Sequence, residues 1–166
     1  VRVGETPRSM AADLTAGIRT VYVGNRADAT LTAIDYALNP PETRTLPLGI
    51  WPTDMALIPE SGDLLLGGEN GMLTRIQGDG SGFETLYLGG DFLRLGVDAD
   101  RERVCALDKE REKLLVLRTG DLEILDQVSL KALPTSLLLD GSTGRAFVGT
   151  TRWWFTSVDY AAATPG

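Results

Sequence analysis

A repeat with a period of about 42 residues constrains this chain more than any other feature. The stretch Gly4-Glu5-Thr6-Pro7-Arg8-Ser9-Met10-Ala11 returns as Gly49-Ile50-Trp51-Pro52-Thr53-Asp54-Met55-Ala56. It returns in degraded form as Gly89-Gly90-Asp91-Phe92-Leu93-Arg94-Leu95-Gly96, and then as Lys131-Ala132-Leu133-Pro134-Thr135-Ser136-Leu137-Leu138. The anchors Pro7, Pro52, Phe92 and Pro134 are 45, 40 and 42 residues apart. A second motif keeps step: Val21-Tyr22-Val23-Gly24-Asn25, Leu64-Leu65-Leu66-Gly67-Gly68, Val104-Cys105-Ala106-Leu107-Asp108 and Ala146-Phe147-Val148-Gly149-Thr150. A third follows each of these, beginning at Leu31, Leu73, Leu114 and Phe155.

Within each unit, short apolar runs alternate with breaks rich in Gly, Pro, Asn and Asp, such as Asn39-Pro40-Pro41 and Asp140-Gly141-Ser142-Thr143-Gly144. That is the grammar of strands and turns, and no stretch holds a helical period. Four short strands per unit make the blade of a β-propeller. The expectation is an all-β propeller of four blades in one domain, residues 1–166, with blades at 4–45, 46–87, 88–129 and 130–166 plus 1–3. The last unit ends after Ser157-Val158-Asp159-Tyr160 without an outer strand, whereas the first runs on through Thr43-Arg44-Thr45-Leu46. Val1-Arg2-Val3-Gly4 resembles that missing piece, so the N-terminal strand is expected to complete the last blade and leave no open edge. Four units fit a closed four-bladed ring, a half of an eight-bladed ring built from two chains, or a piece of a longer propeller.

At these residues the chain resembles the YVTN family of β-propeller repeats, found in surface-layer and periplasmic proteins. The resemblance is carried by Val3-Gly4-Glu5-Thr6-Pro7, Val21-Tyr22-Val23-Gly24-Asn25 and Thr32-Ala33-Ile34-Asp35 in the first unit, and by Pro134 and Val158-Asp159 in the fourth. The second and third units diverge, with Gly68 and Asp108 in place of the family's Asn and Phe92 in place of its Pro. The resemblance implies a propeller in an extracytoplasmic setting, periplasmic or secreted. It does not fix an activity, because propellers host many. More distantly the chain is similar to propeller subunits of amine dehydrogenases and to streptogramin-type lyases. The chain has no histidine, so the lyases' His chemistry does not carry over.

Composition narrows the function classes. The formal net charge is −7, which disfavours a nucleic-acid partner. The lack of His removes Ser-His-Asp and Cys-His catalysis and most zinc sites. No apolar run reaches the length a membrane helix needs, so direct membrane insertion is not expected. Cys105 is the single cysteine and reads as a buried structural thiol in a strand. Asp79, in Gly78-Asp79-Gly80-Ser81-Gly82, lacks the acid spacing of a calcium loop and reads as a tight turn. No catalytic residue, metal or cofactor is assigned.

Propeller ligands meet the channel mouth, where loops from every blade converge. By repeat register the mouth is lined by Arg8, Arg26, Arg94, Lys109 and Arg152 beside Asp54, Glu69, Asp91 and Asp108, with Trp51 and Trp153 on the same loops. They read either as a binding surface for a protein partner, a homodimer included, or as a solvated charged rim. Exposed Trp on loops favours binding, and of the neighbours Trp153 and Trp154 one is expected to point away from whatever the other contacts. The function expected is a non-catalytic scaffold module, an accessory subunit of an extracytoplasmic assembly. The alternatives are a propeller lyase or hydrolase, or the substrate-side subunit of a redox complex.

Overall fold

A computed structural model describes residues 1–14, 19–78 and 82–163. It is all-β, with four antiparallel sheets. The first sheet is β1 (Pro7–Asp13), β2 (Thr20–Asn25), β3 (Thr30–Asp35) and β4 (Glu42–Pro47), and the second is β5 (Pro52–Leu57), β6 (Leu64–Gly68), β7 (Met72–Ile76) and β8 (Phe83–Tyr87). The third is β9 (Phe92–Asp98), β10 (Arg103–Asp108), β11 (Lys113–Arg118) and β12 (Ile124–Ser129). The fourth is β13 (Pro134–Asp140), β14 (Arg145–Thr150) and β15 (Phe155–Asp159). Each sheet is a meander in sequence order, and the first strands pack on one another as β1–β5, β5–β9 and β9–β13. The four sheets are therefore four blades, with their first strands innermost.

The apolar runs of the sequence follow from this packing. A strand between two covered faces sends successive side chains to opposite sides, so both alternate sets must be apolar. In β10, Val104 and Ala106 join a cluster with Leu65 and Leu73 of the second blade. Cys105 and Leu107 join a different cluster with Ala146, Val148 and Val158 of the fourth. A third cluster joins Leu31 of the first blade to Met55, Leu64, Leu66 and Ile76 of the second. Three seams thus hold three apolar clusters. In each, the face a blade turns toward its successor meets the face the successor turns back.

The N-terminal closure differs from expectation. Among the described residues the fourth sheet has three strands, and Val1–Gly4 form none. The Glu5 N–H donates to Asp28 Oδ2, which ties the start of the chain to the first blade's own turn rather than to the fourth blade. No contact between innermost strands of comparable extent joins β13 back to β1. Thr164, Pro165 and Gly166 lie outside the described residues, as does Asp79 with Gly80 and Ser81. Among the described residues no helix is long and apolar enough to cross a membrane.

Candidate functional site

One end of every blade is built by the same local device. The innermost strand begins with a bulge: the register skips between Pro7 and Ser9, Pro52 and Asp54, Phe92 and Arg94, and Pro134 and Ser136. The extra residue at each bulge is Arg8, Thr53, Leu93 or Thr135. Bulges of this kind bend a strand and re-aim its side chains. Thr53 Oγ1 donates to the Gly67 carbonyl at 3.0 Å, and Thr135 Oγ1 makes the equivalent bond to Gly149 at 3.1 Å.

A backbone bracket beside the bulge recurs in all four blades. The N–H of Arg26 donates to the Thr6 carbonyl at 3.0 Å, Glu69 to Trp51 at 3.3 Å, Lys109 to Asp91 at 2.8 Å and Thr151 to Leu133 at 2.9 Å. A second repeated bond anchors the strand that leads in: Leu48 to Ala29 at 2.9 Å, Leu88 to Gly71 at 2.9 Å and Leu130 to Glu112 at 2.7 Å. The backbone frame is repeated while the side chains on it are not. Equivalent positions carry Arg26, Glu69, Lys109 and Thr151 on one side of the bracket and Thr6, Trp51, Asp91 and Leu133 on the other.

Part of the sequence-derived set converges here. Arg8, Arg26, Glu69, Asp91 and Lys109 line one hollow at the mouth. Glu69, Asn70, Gly90, Asp91, Lys109 and Glu110 line the hollow next to it. Arg26 Nε donates to Glu69 Oε1 at 2.7 Å, joining the first blade to the second, and Arg26 Nη2 bonds the same oxygen. Burial pushes the Asp91 carboxyl above its ordinary value against the pull of Lys109, with Glu69, Asp108 and Glu110 adding to the upward shift. Trp51 is half exposed and shares a small hollow with Arg26, Ala27 and Glu69.

The loop at Asp108 is fixed from below. Its carboxylate is fully buried and Oδ1 accepts the N–H groups of Asp91 and Arg111, both at 3.1 Å. Gly90 has φ +89°, and a Cβ there would meet Asp108 Oδ2 at 2.0 Å, so only glycine lets this carboxylate close under the turn.

The remaining candidates lie elsewhere. Asp54 is in the seam between the second and third blades, where Oδ2 accepts the Leu95 N–H at 2.8 Å. Arg94 is half buried and donates to the carbonyl of its neighbour Leu93 at 2.8 Å. Arg152, Trp153 and Trp154 form the exposed turn after β14. Trp153 stands wholly in solvent at φ +62°, and the Lys131 ammonium lies 5.0 Å from the Trp154 ring centroid. Neither Trp packs between blades. Glu69 holds the bracket position equivalent to Arg26, as the repeat register expects, and Glu110 follows Lys109 in the same hollow. Among the described residues no three His, Cys, Asp or Glu side chains converge to hold a metal ion. No family model matches the chain, and no curated protein matches it.

Proposed function

We propose that this chain is a non-catalytic binding module of the YVTN-like propeller type, which engages a protein partner through the mouth loops and serves as an accessory subunit of an extracytoplasmic assembly. The observation that carries this is the bracket. One hydrogen-bonded frame occurs four times and displays Arg26, Glu69, Lys109 and Thr151 at its equivalent points. A frame fixed by backbone bonds loses little ordering entropy on binding, and unlike charges spaced around a mouth select a partner loop of complementary pattern. Trp51 beside the Arg26–Glu69 pair supplies the apolar anchor that such contacts need. The extracytoplasmic setting rests on the family resemblance of Val3-Gly4-Glu5-Thr6-Pro7 and Val21-Tyr22-Val23-Gly24-Asn25.

The test is selection of peptides from a displayed random library on the immobilised chain, followed by titration of those enriched. Trp51→Ala is expected to weaken binding by about 2 kcal/mol, as anchors do. Arg26→Ala and Lys109→Ala are expected to weaken it less and to reduce its salt dependence. Peptides that bind all three variants as well as the parent chain would refute a mouth-centred function.

A further inference from the structure

Both ends of the blade series keep a face built for a seam. In β14 the residues Ala146 and Val148 join the cluster shared with the third blade, while Phe147 points to the other side. Cross-strand register puts Leu138, Phe147 and Phe155 on that outer face. The residues equivalent to Phe155 are Leu31, Leu73 and Leu114, each fully buried, whereas Phe155 is 66% exposed. Phe155 instead stacks on Phe147, with ring centroids 5.5 Å apart. On the first blade, Met10, Ala12, Val21, Val23 and Ile34 share the face turned away from the second. Met10 is 71% exposed and its equivalent Met55 is 6% exposed. On the fourth blade Ser136, Arg145 and Ser157 flank these apolar side chains on the same face, so that face has an apolar centre and a polar rim, as interfaces do; on the first blade Thr32 shares the face of Met10 and Val23.

The two faces are opposite halves of one interface. At every internal seam a blade presents the Tyr22–Leu31 type of face and its successor answers with the Met55–Leu66 type. The fourth blade's free face is of the first type and the first blade's is of the second. Their sizes also match. Gly96 is so close to Leu139 that a Cβ there would lie 2.8 Å from it, so that seam sets a small residue against a large one. By register Leu138 is the equivalent of Gly96, and Ala12 is the equivalent of Leu139. At the open faces the large and small partners have simply changed sides, so volume is conserved if the fourth blade meets a first blade. Among the described residues no strand of the first blade packs on a strand of the fourth to the extent seen at the internal seams.

We infer that a second copy of this chain covers these faces, the fourth blade of each copy packing on the first blade of the other. The two contacts are head-to-tail in kind, and related by a two-fold axis they close a ring of eight blades. The interface continues the internal seams and does not depend on what the mouth binds.

Light scattering on the eluting chain tests this. The expected mass is about twice 17.9 kDa, and a mass of 17.9 kDa at all concentrations overturns the inference. Met10→Asp and Phe155→Asp are each expected to give a folded monomer by circular dichroism, because both side chains are exposed within one copy. Tyr87→Asp, on the exposed outer strand of the second blade, is expected to remain a dimer. A dimer that survives either seam variant, or is lost in Tyr87→Asp, also overturns the pairing.

Discussion

The Tyr160 hydroxyl donates to Asp98 Oδ2 at 2.6 Å, tying the end of the fourth blade to the innermost strand of the third. Tyr160 is fully buried, and Asp98 is also held by Arg101 Nη1 at 3.2 Å. Tyr160→Phe leaves a buried carboxylate short of one donor, which costs about 1–3 kcal/mol. The expected result is a melting temperature lower by several degrees. Burial, then the bond to the Asp98 carboxylate, push the phenol above its ordinary 10.0. That stability is whole below pH 10.0 and is lost as pH rises through the folded value. The gap between parent and Tyr160→Phe should therefore narrow in alkali; a constant gap would mean the phenol is not the titrating group.

Cys105 gives a second alkaline signature. Burial pushes its thiol from 9.0 up to about 12, with Asp98 adding to the shift and Arg103 opposing it. A thiol held neutral in the fold stabilises it below pH 9 and ceases to do so between 9 and about 12. Cys105→Ala is expected to melt lower at pH 7, because it opens a cavity between the third and fourth blades, yet to lose less stability from pH 8 to 11 than the parent. In the folded parent chain an aromatic disulfide reagent should react with the thiol only at the rate of unfolding. Rapid labelling in native buffer contradicts the buried placement.

The repeat was legible because every blade makes the same antiparallel meander from its innermost strand outward, and the two-sided apolar runs at Leu64–Leu66 and Val104–Leu107 are the direct trace of seams on both faces. The mouth was legible as far as Arg8, Arg26, Asp91 and Lys109, which neighbour the bracket. Asp54 was not, for a geometric reason. Counting from Pro52 places it in the mouth loop, but the extra residue Thr53 turns the next side chain onto the seam face, and a bulge leaves no mark in composition. Arg94 follows Leu93 in the same way. The expected closing strand failed because likeness of Val1–Gly4 to an outer strand says nothing about partners, and the Asp28 carboxylate holds Glu5 at the first blade.

That placement gives Asp54 a testable sign. Burial raises its carboxyl above 3.8, against the Leu95 and Met55 backbone bonds and the Arg94 charge, which lower it. A raised acid contributes its stability below 3.8 and loses it as pH rises through the folded value. Asp54→Asn keeps an oxygen for the Leu95 N–H and cannot ionise. Its melting temperature relative to the parent should rise between pH 4 and pH 7. Asp54→Ala removes the acceptor and should cost about 1–3 kcal/mol at both pH values. A relative decline of Asp54→Asn toward neutrality would show that the ionised carboxylate is favoured in the seam.

Two glycines separate backbone conformation from crowding. Gly71 ends the 3-10 turn Glu69–Gly71 at φ +71°, and a Cβ there would lie 2.2 Å from the Gly89 carbonyl carbon. Gly49 has nearly the same φ, +69°, with nothing within 4 Å of a Cβ. Gly49→Ala therefore meets only the conformational cost of a left-handed residue, about 1 kcal/mol. Gly71→Ala meets that cost and must also push the backbone of the third blade's entry turn, which cannot rotate away as a side chain could. It should lower the melting temperature well beyond Gly49→Ala. Because Gly71 also accepts the Leu88 N–H, amide exchange at Leu88 should accelerate in Gly71→Ala and not in Gly49→Ala. Equal effects of the two substitutions would mean the second and third blades do not approach at this turn.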